Sequence, residues 1–318
     1  MKRVLAIICS ILMLISMAAC SAEKDDGKYV IGICQLVKHD ALDAATKGFQ
    51  DAVIAELGAE NVTFDLQIAA GESTACTNIV LDFIASEVDL ILANATPALQ
   101  SAAAATEDIP ILGTSITEYG VAMGISNFSG TVGGNVSGTS DLAPLDQQAA
   151  MVKEWFPDAK NVGLIYCSAE PNSKYQVDTV QKELEKLGFV CQQYAFSATS
   201  DLDPVTRKAA AESDVIYLPT DNTVAEATGI IDSICRPANI PIIAGEKGIC
   251  SGCGVATLSI DYYDLGYETG KMAAKILKGE AKISEMPIAY APEFSKLYNP
   301  EICKELNITV PEGYFPIE

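Results

Sequence analysis

The sequence predicts an α/β protein of two lobes, each built on a parallel sheet, joined by a three-segment hinge. Three observations carry this. Short β-branched runs alternate with longer stretches of helical period. The apolar runs are nearly continuous, as in strands covered by helices on both faces. The rhythm then restarts after residue 140, giving two successive sets of similar size, each Rossmann-like.

The first set opens with the strand "YVIGIC" (29–34) and an amphipathic helix over 40–57 that stops at Gly58. "VTFDLQIA" (62–69), a helix over 73–86, "VDLILAN" (88–94), a helix from Pro97 and "IPILGTS" (109–115) complete it. The second set runs from a helix over 144–156 through "NVGLIYC" (161–167), a helix over 173–187 and "FVCQQYAF" (189–196). A helix near 203–211, "DVIYLPT" (214–220), a helix over 222–235 and "IPIIAGE" (240–246) follow. Between the sets, "GISNFSGTVGGNVSGTSD" (124–141) is rich in Gly, Ser, Thr and Asn and reads as a connection between lobes. "GVATLSI" (254–260) and the helix over 261–278 read as a return to the first lobe, and a passage near 283–292 as the third crossing. The N-terminal lobe is therefore expected over 29–125 plus 257–284, and the C-terminal lobe over 126–256 plus 285–318. Three crossings make a hinge that lets lobes close on a ligand.

Residues 1–19 stand apart. Lys2 and Arg3 precede an apolar run from Val4 to Met17, and Ala18 and Ala19 lead to Cys20. This is a secretory leader to be excluded from the fold, and it resembles a bacterial lipoprotein signal in which Cys20 is lipidated. Residues 20–28 would be the lipidated end and its tether. Acyl chains contribute about 0.8 kcal/mol per buried methylene, so two or more anchor lastingly. The expected place is outside the cytoplasm, tied to the cell membrane. The chain carries a formal charge of −21, and losing Lys2 and Arg3 leaves −23. That balance argues against nucleic acid as a partner.

Eight cysteines follow Cys20, most of them in or beside apolar strands and helices, where the thiol behaves as a small hydrophobe. Mostly reduced thiols are expected, with Cys250 and Cys253 of "CSGCG" the first pair to form if any does. A zinc site there would need two further ligands, and His39 is the one histidine of the chain, so neither metal nor cofactor is expected.

In open α/β sheets ligands bind beyond the carboxyl ends of the strands. The turns there are "QLVKHDALD" (35–43), "NATPAL" (94–99), "GTSITE" (113–118), "SAEPNSKYQ" (168–176) and "PTDN" (219–222). Most end in small hydroxyl or amide residues at a helix start. Each alone is a cap, but several free helix ends on one cleft suit a carboxylate. Asp221 is placed to meet an ammonium group. Together they suggest a pocket for a zwitterion, an amino acid.

"QLVKHDALD", "NATPAL", "GTSIT", "GNVSGTSD", "EPNS", "PTDN" and "IDYYDLGYETG" resemble, in order and spacing, the motifs of the ABC-transporter substrate-binding lipoproteins of the tryptophan- and tyrosine-binding (TrpX-like) type. The match runs from about Tyr29 to the tail. It implies a type I periplasmic-binding-protein fold, capture of an aromatic or other hydrophobic amino acid, and a monomer serving an ABC permease and its ATPase. Carried over, Thr96 and Ser115 would face the ligand from the first lobe, with Gln35, His39 and Thr117 on the same rim. Thr139 and Ser140 would stand at the crossover. Asn172 and Ser173 would close from the second lobe, beside Asp221 and its neighbour Asn222. Apart from the resemblance, Tyr262 and Tyr263 open a helix beside the crossover and either could stack on an aromatic ligand, with helix packing the plainer reading for Tyr263. Three departures bear on side-chain preference. Asp40 stands where the family tends to proline, Cys167 and Ala169 where it has hydroxyl residues, and "GEKGICSGCG" replaces a cysteine-free passage.

An enzyme is the rival from another class. A Ser-His-Asp triad would have to use His39, which has no nucleophile elbow near it. "GTVGGNVSGTS" (130–140) lacks the lysine and spacing of a P-loop, and "GICQLV" has one glycine where a dinucleotide fingerprint needs three. Binding without catalysis is expected. A sensor or receptor lipoprotein that binds the same ligand is the alternative to import.

Overall fold

A computed structural model describes residues 28–291 and 293–317. The leader, Cys20 and nearly all of the tether lie outside the described residues. The first sheet has the order β11-β5-β4-β3-β1-β2, and the second the order β13-β12-β10-β9-β8-β6-β7. Its strands are β1 (Tyr29–Gln35), β2 (Val62–Ile68), β3 (Leu90–Asn94), β4 (Ile111–Ile116), β5 (Val136–Ser140) and β11 (Ala289–Tyr290). Those of the second are β6 (Asn161–Cys167), β7 (Val190–Phe196), β8 (Val215–Leu218), β9 (Ile242–Ala244), β10 (Ala256–Ser259), β12 (Ser295–Tyr298) and β13 (Phe315–Pro316). Pairing is parallel except where β12 runs against β10. β1 lies between β2 and β3, and β6 between β7 and β8. Each sheet thus has a topological switch point, and the two open toward the same cleft.

The helices cover both faces because both faces are apolar. On the first sheet, α1 (Asp40–Leu57) and α11 (Tyr262–Leu277) bury Phe49, Val53, Met272 and Ala273 against Ile31, Ile33, Leu90 and Leu92. The opposite face takes α2 (Ser73–Ala85), α3 (Thr96–Ala105) and the short α4 (Tyr119–Met123), around Phe83 and Leu99. On the second sheet, α5 (Leu145–Trp155), α6 (Pro171–Lys186) and α12 (Pro300–Glu305) cover one face. The other is covered by α7 (Thr199–Glu212), α9 (Thr228–Cys235) and α10 (Lys247–Cys253), with the short α8 (Asn222–Glu226) at its edge. Trp155 packs edge-on against Tyr314, with ring centroids 5.0 Å apart, as a core residue. α1 and α11 approach backbone to backbone: a Cβ on Gly266 would lie 1.9 Å from the Ala45 carbonyl oxygen, and one on Gly48 would lie 2.0 Å from that of Tyr263.

Several sequence expectations are corrected. Residues 136–140, read as connection, form the buried strand β5. Its small residues are needed because Tyr119 lies across it, donating from its hydroxyl to Gly113 O at 3.0 Å and Thr139 O at 3.1 Å. A Cβ on Gly138 would sit 2.1 Å from Gly113 O, at a φ of +144° that disfavours side chains. The first crossing therefore follows Ser140, not residue 125. β10 stays in the second sheet, so the return to the first lobe falls at Ile260–Asp261; β11 pairs with β5, and the last crossing lies between β11 and β12. The helix expected over 222–235 is two, parted at Ala227.

"KGICSGC", to which the sequence reading gave no element, is helix α10. Its Gly- and Ser-rich composition hides a sound start: Glu246 accepts from the Gly248 and Ile249 amides. Cys250 and Cys253 face the core from one helix as free thiols, like every cysteine among the described residues. Burial pushes both thiols far above their ordinary range. No helix of the described residues is long and apolar enough to cross a membrane, and none of their His, Cys, Asp and Glu side chains form a group of three able to hold a metal.

Candidate ligand-binding site

The second lobe builds its wall around one carboxylate. Glu170, at the N-cap of α6, is buried. Its Oε2 accepts from the Asn222 amide N (3.1 Å), Asn222 Nδ2 (2.6 Å) and Asn172 Nδ2 (3.2 Å); its Oε1 accepts from the Thr223 amide and hydroxyl. One acid thus binds the turns after β6 and β8 into a single surface. Asp221 works beside it. Its Oδ1 accepts from the Val224 amide (2.9 Å), as an N-cap does, and its Oδ2 from the Cys167 amide (2.7 Å). Burial first, and then the charge of Glu170, pushes the Asp221 carboxyl up to about 8.

The first lobe presents a bulge and a helix end. The register of β4 against β5 shifts between Gly113 and Ile116, and Ser115 there has φ +56°. Bulges re-aim side chains, and a left-handed serine inside a strand is a strained position, so Ser115 is turned out of the sheet toward the cleft. α1 begins after His39, whose side chain does not cap it. Its first backbone amides have no partner within the helix, and Ala41 and Leu42 of that turn line the cleft. His39 instead reaches the other lobe. Asn222 spends its Nδ2 on Glu170, leaving Oδ1 to accept from His39 Nε2 at 3.2 Å.

Between the walls lies a narrow cavity of about 10 Å³, within a recess of about 290 Å³ when its open mouth is included. Among the residues lining it are His39, Ser115, Thr117, Asp141, Asn172, Asp221, Asn222, Glu246 and Tyr262. Three polar atoms on its walls are buried without a hydrogen bond: Ser115 Oγ, Asn172 Oδ1 and Asp141 Oδ1. Orphaned groups of this kind are rare and costly in a finished core. Asp141, Asp221 and Glu246 are each 5% exposed or less, and no Lys or Arg lines the cavity. Burial raises the Asp141 carboxyl, against the pull of the Tyr262 and Thr117 hydroxyls. It raises Glu246 too, where His39 opposes the shift. Outside this cavity, and sharing Asn222 with it, a wider cleft of about 900 Å³, its open mouth included, is lined in part by Leu36, Val37, Pro97, Cys167 and Ala169.

The expected site residues divide. His39, Ser115, Thr117, Asn172, Asp221, Asn222 and Tyr262 come together on the inner cavity. Gln35, Thr96, Thr139, Ser140 and Ser173 are buried but line neither space. Gln35 is consumed by Val37 O, Asp43 and Thr46. Thr139 bonds Thr114 and Thr269, and Ser140 bonds Thr117 O and the Leu142 amide. Tyr262 buries its ring and donates its hydroxyl to Asp141 Oδ2 at 2.9 Å. Asp141 and Glu246 are absent from the sequence expectation. The signal was present: each is the first acid after a buried strand, as Asp221 is after β8.

A family model described as ABC transporter substrate binding protein matches residues 30–315. The chain belongs to this family. As a substrate-binding protein it is extracytoplasmic and works with an ABC permease on a small ligand. A curated relative named tyrosine-binding protein, from Clostridioides difficile, is 35% identical over 281 residues, 87% of this chain and 81% of the relative. The ABC domain from Streptococcus pneumoniae solved in complex with L-Trp is 32% identical, covers 91% of this chain and 100% of its own, and superposes with a TM-score of 0.86. A substrate-binding protein with adhesive properties from Clostridium difficile, in its ligand-free, open structure, is 36% identical over 91% of this chain and 99% of its own, yet superposes at only 0.69. The two superpositions differ although the identities are nearly the same.

Proposed function

We propose that this substrate-binding protein captures an aromatic L-amino acid, tyrosine or tryptophan, by closing its lobes on it, and delivers it to an ABC importer without any catalysis. The observation that carries the reading is the trio of orphaned polar atoms, Ser115 Oγ, Asn172 Oδ1 and Asp141 Oδ1, facing one inter-lobe cavity. They want a ligand with donors and acceptors on opposite sides. The α-carboxylate fits the free end of α1 and the Ser115 hydroxyl; the ammonium group fits the carboxylate side. The aromatic side chain fits the wider cleft over Leu36, Val37, Pro97 and Cys167. The names of the tyrosine-binding and Trp-complexed relatives support that choice. Charge-assisted hydrogen bonds each contribute roughly 1.5–3 kcal/mol, enough in sum for micromolar affinity at about −8 kcal/mol.

A thermal-shift screen of the mature chain against the twenty amino acids tests this. L-tyrosine and L-tryptophan should raise the melting temperature in a concentration-dependent way, as ligands of the native state do. A flat response to both would refute the reading. Anchoring through lipid on Cys20 is part of the proposal. The mass of the N-terminal peptide from membranes checks it, and an unmodified Cys20 there would remove the anchor.

A further inference from the structure

Three carboxylates face the inner cavity, and their hydrogen bonds set them apart. Asp221 gives one oxygen to the Val224 amide and the other to the Cys167 amide. Glu246 gives its oxygens to the amides of Gly248 and Ile249. Both acids hold turns in the second lobe. Asp141 is different. Its Oδ2 accepts the Tyr262 hydroxyl at 2.9 Å, the Thr117 hydroxyl also pulls on the carboxyl, its Oδ1 has no partner in hydrogen-bond geometry, and the residue is 5% exposed. It also stands at a mechanically special place. Asp141 begins the first crossing between lobes, its amide tied to Ile116 O of β4, while Tyr262 opens α11 immediately after the second crossing. The Asp141–Tyr262 bond therefore joins two of the three hinge strands at the cavity wall.

We propose that Asp141, aimed by Tyr262, is the residue that receives the ligand's ammonium group, while Asp221 shapes the turn behind it. This rests on the amino-acid reading above and assigns its cationic half. A carboxylate buried with one oxygen unpaired and no Lys or Arg beside it is costly on its own. An ammonium donor supplies the missing hydrogen bond and the missing charge together. Because the acceptor sits on the hinge, amine recognition and lobe closure use the same residue. A ligand lacking the amine leaves Asp141 unpaired in the closed state and is disfavoured for that reason.

The test is calorimetric titration of wild type, Asp141→Asn, Tyr262→Phe and Asp221→Asn. The probes are L-tyrosine, L-tryptophan and their deaminated counterparts, 3-(4-hydroxyphenyl)propionate and 3-indolepropionate. Wild type should prefer the amino acids strongly. Asp141→Asn should lose at least 30-fold in affinity for the amino acids and little or nothing for the deaminated acids, so its preference collapses. Tyr262→Phe should weaken amino-acid binding several-fold in the same direction. Asp221→Asn should lower the melting temperature but keep the preference for amines. If Asp141→Asn binds L-tyrosine as wild type does, or loses both ligand classes equally, the assignment is wrong. The same holds if Asp221→Asn is the variant that loses amine preference. Should wild type bind neither amino acid, the functional reading itself falls and takes this assignment with it.

Discussion

Replacing Glu170 with alanine should lower the stability of the second lobe by about 3 kcal/mol or more and abolish amino-acid binding together with it. Glu170 accepts from two backbone amides, two side-chain amides and a hydroxyl, all in or beside the turn that opens α8. Without it the Asn222 and Thr223 amides at the start of α8 lose their acceptor, and such donors keep their full desolvation cost. Asn222 loses the acceptor of its side-chain amide and Asn172 loses one of three, so the Asn222 contact with His39 is released and the hold on Asn172 is loosened. A melting curve should show a fall of several degrees, and calorimetry should show no heat with L-tyrosine. Glu170→Gln, which keeps one acceptor oxygen, should fall between. An alanine variant that melts with wild type would mean that the network is not formed in solution.

Substituting Gly266 should be damaging for a different reason. In an exposed helix, glycine to alanine usually gains up to about 1 kcal/mol from propensity. Here the added methyl would sit 1.9 Å from the Ala45 carbonyl oxygen, so the helices must move apart. Overpacking of this sort costs typically 1–3 kcal/mol, and the bulkier leucine more. Gly48 and Gly270 meet the facing backbone in the same way, at 2.0 Å from Tyr263 O and 2.5 Å from Phe49 O. The shift would also carry Tyr262 off Asp141, because α11 starts there. Gly266→Ala should therefore melt several degrees lower, and Gly266→Leu should fail to hold the first lobe. An alanine variant more stable than wild type would show that propensity wins and that the helices are not in backbone contact.

Much of this fold is legible in the sequence because burial on both sheet faces writes itself as unbroken apolar runs. β1, β6 and α1 begin and end within a residue of expectation, the last because Gly58 stops it. The elements that escaped are those whose composition answers a neighbour instead of their own secondary structure. β5 is Val-Ser-Gly-Thr-Ser because Tyr119 and Gly113 crowd it, and α10 is glycine-rich because Glu246 supplies its start. The site divides along the same line. Turn residues such as Ser115, Asn172 and Asn222 could be found from their place after strands. Whether a side chain faces ligand or serves its own backbone depends on hydrogen bonds that sequence does not display. Gln35 and Thr139 turned inward for that reason, and the N-cap role of Asp221 took precedence over the charge role that its position suggested. The adjacent acid at the hinge kept its oxygen free.

Small-angle scattering of the mature chain, with and without ligand, addresses closure itself. Saturating L-tyrosine or L-tryptophan should reduce the radius of gyration, at one ligand per chain. Saturable binding of either amino acid with no change in the radius of gyration would contradict it.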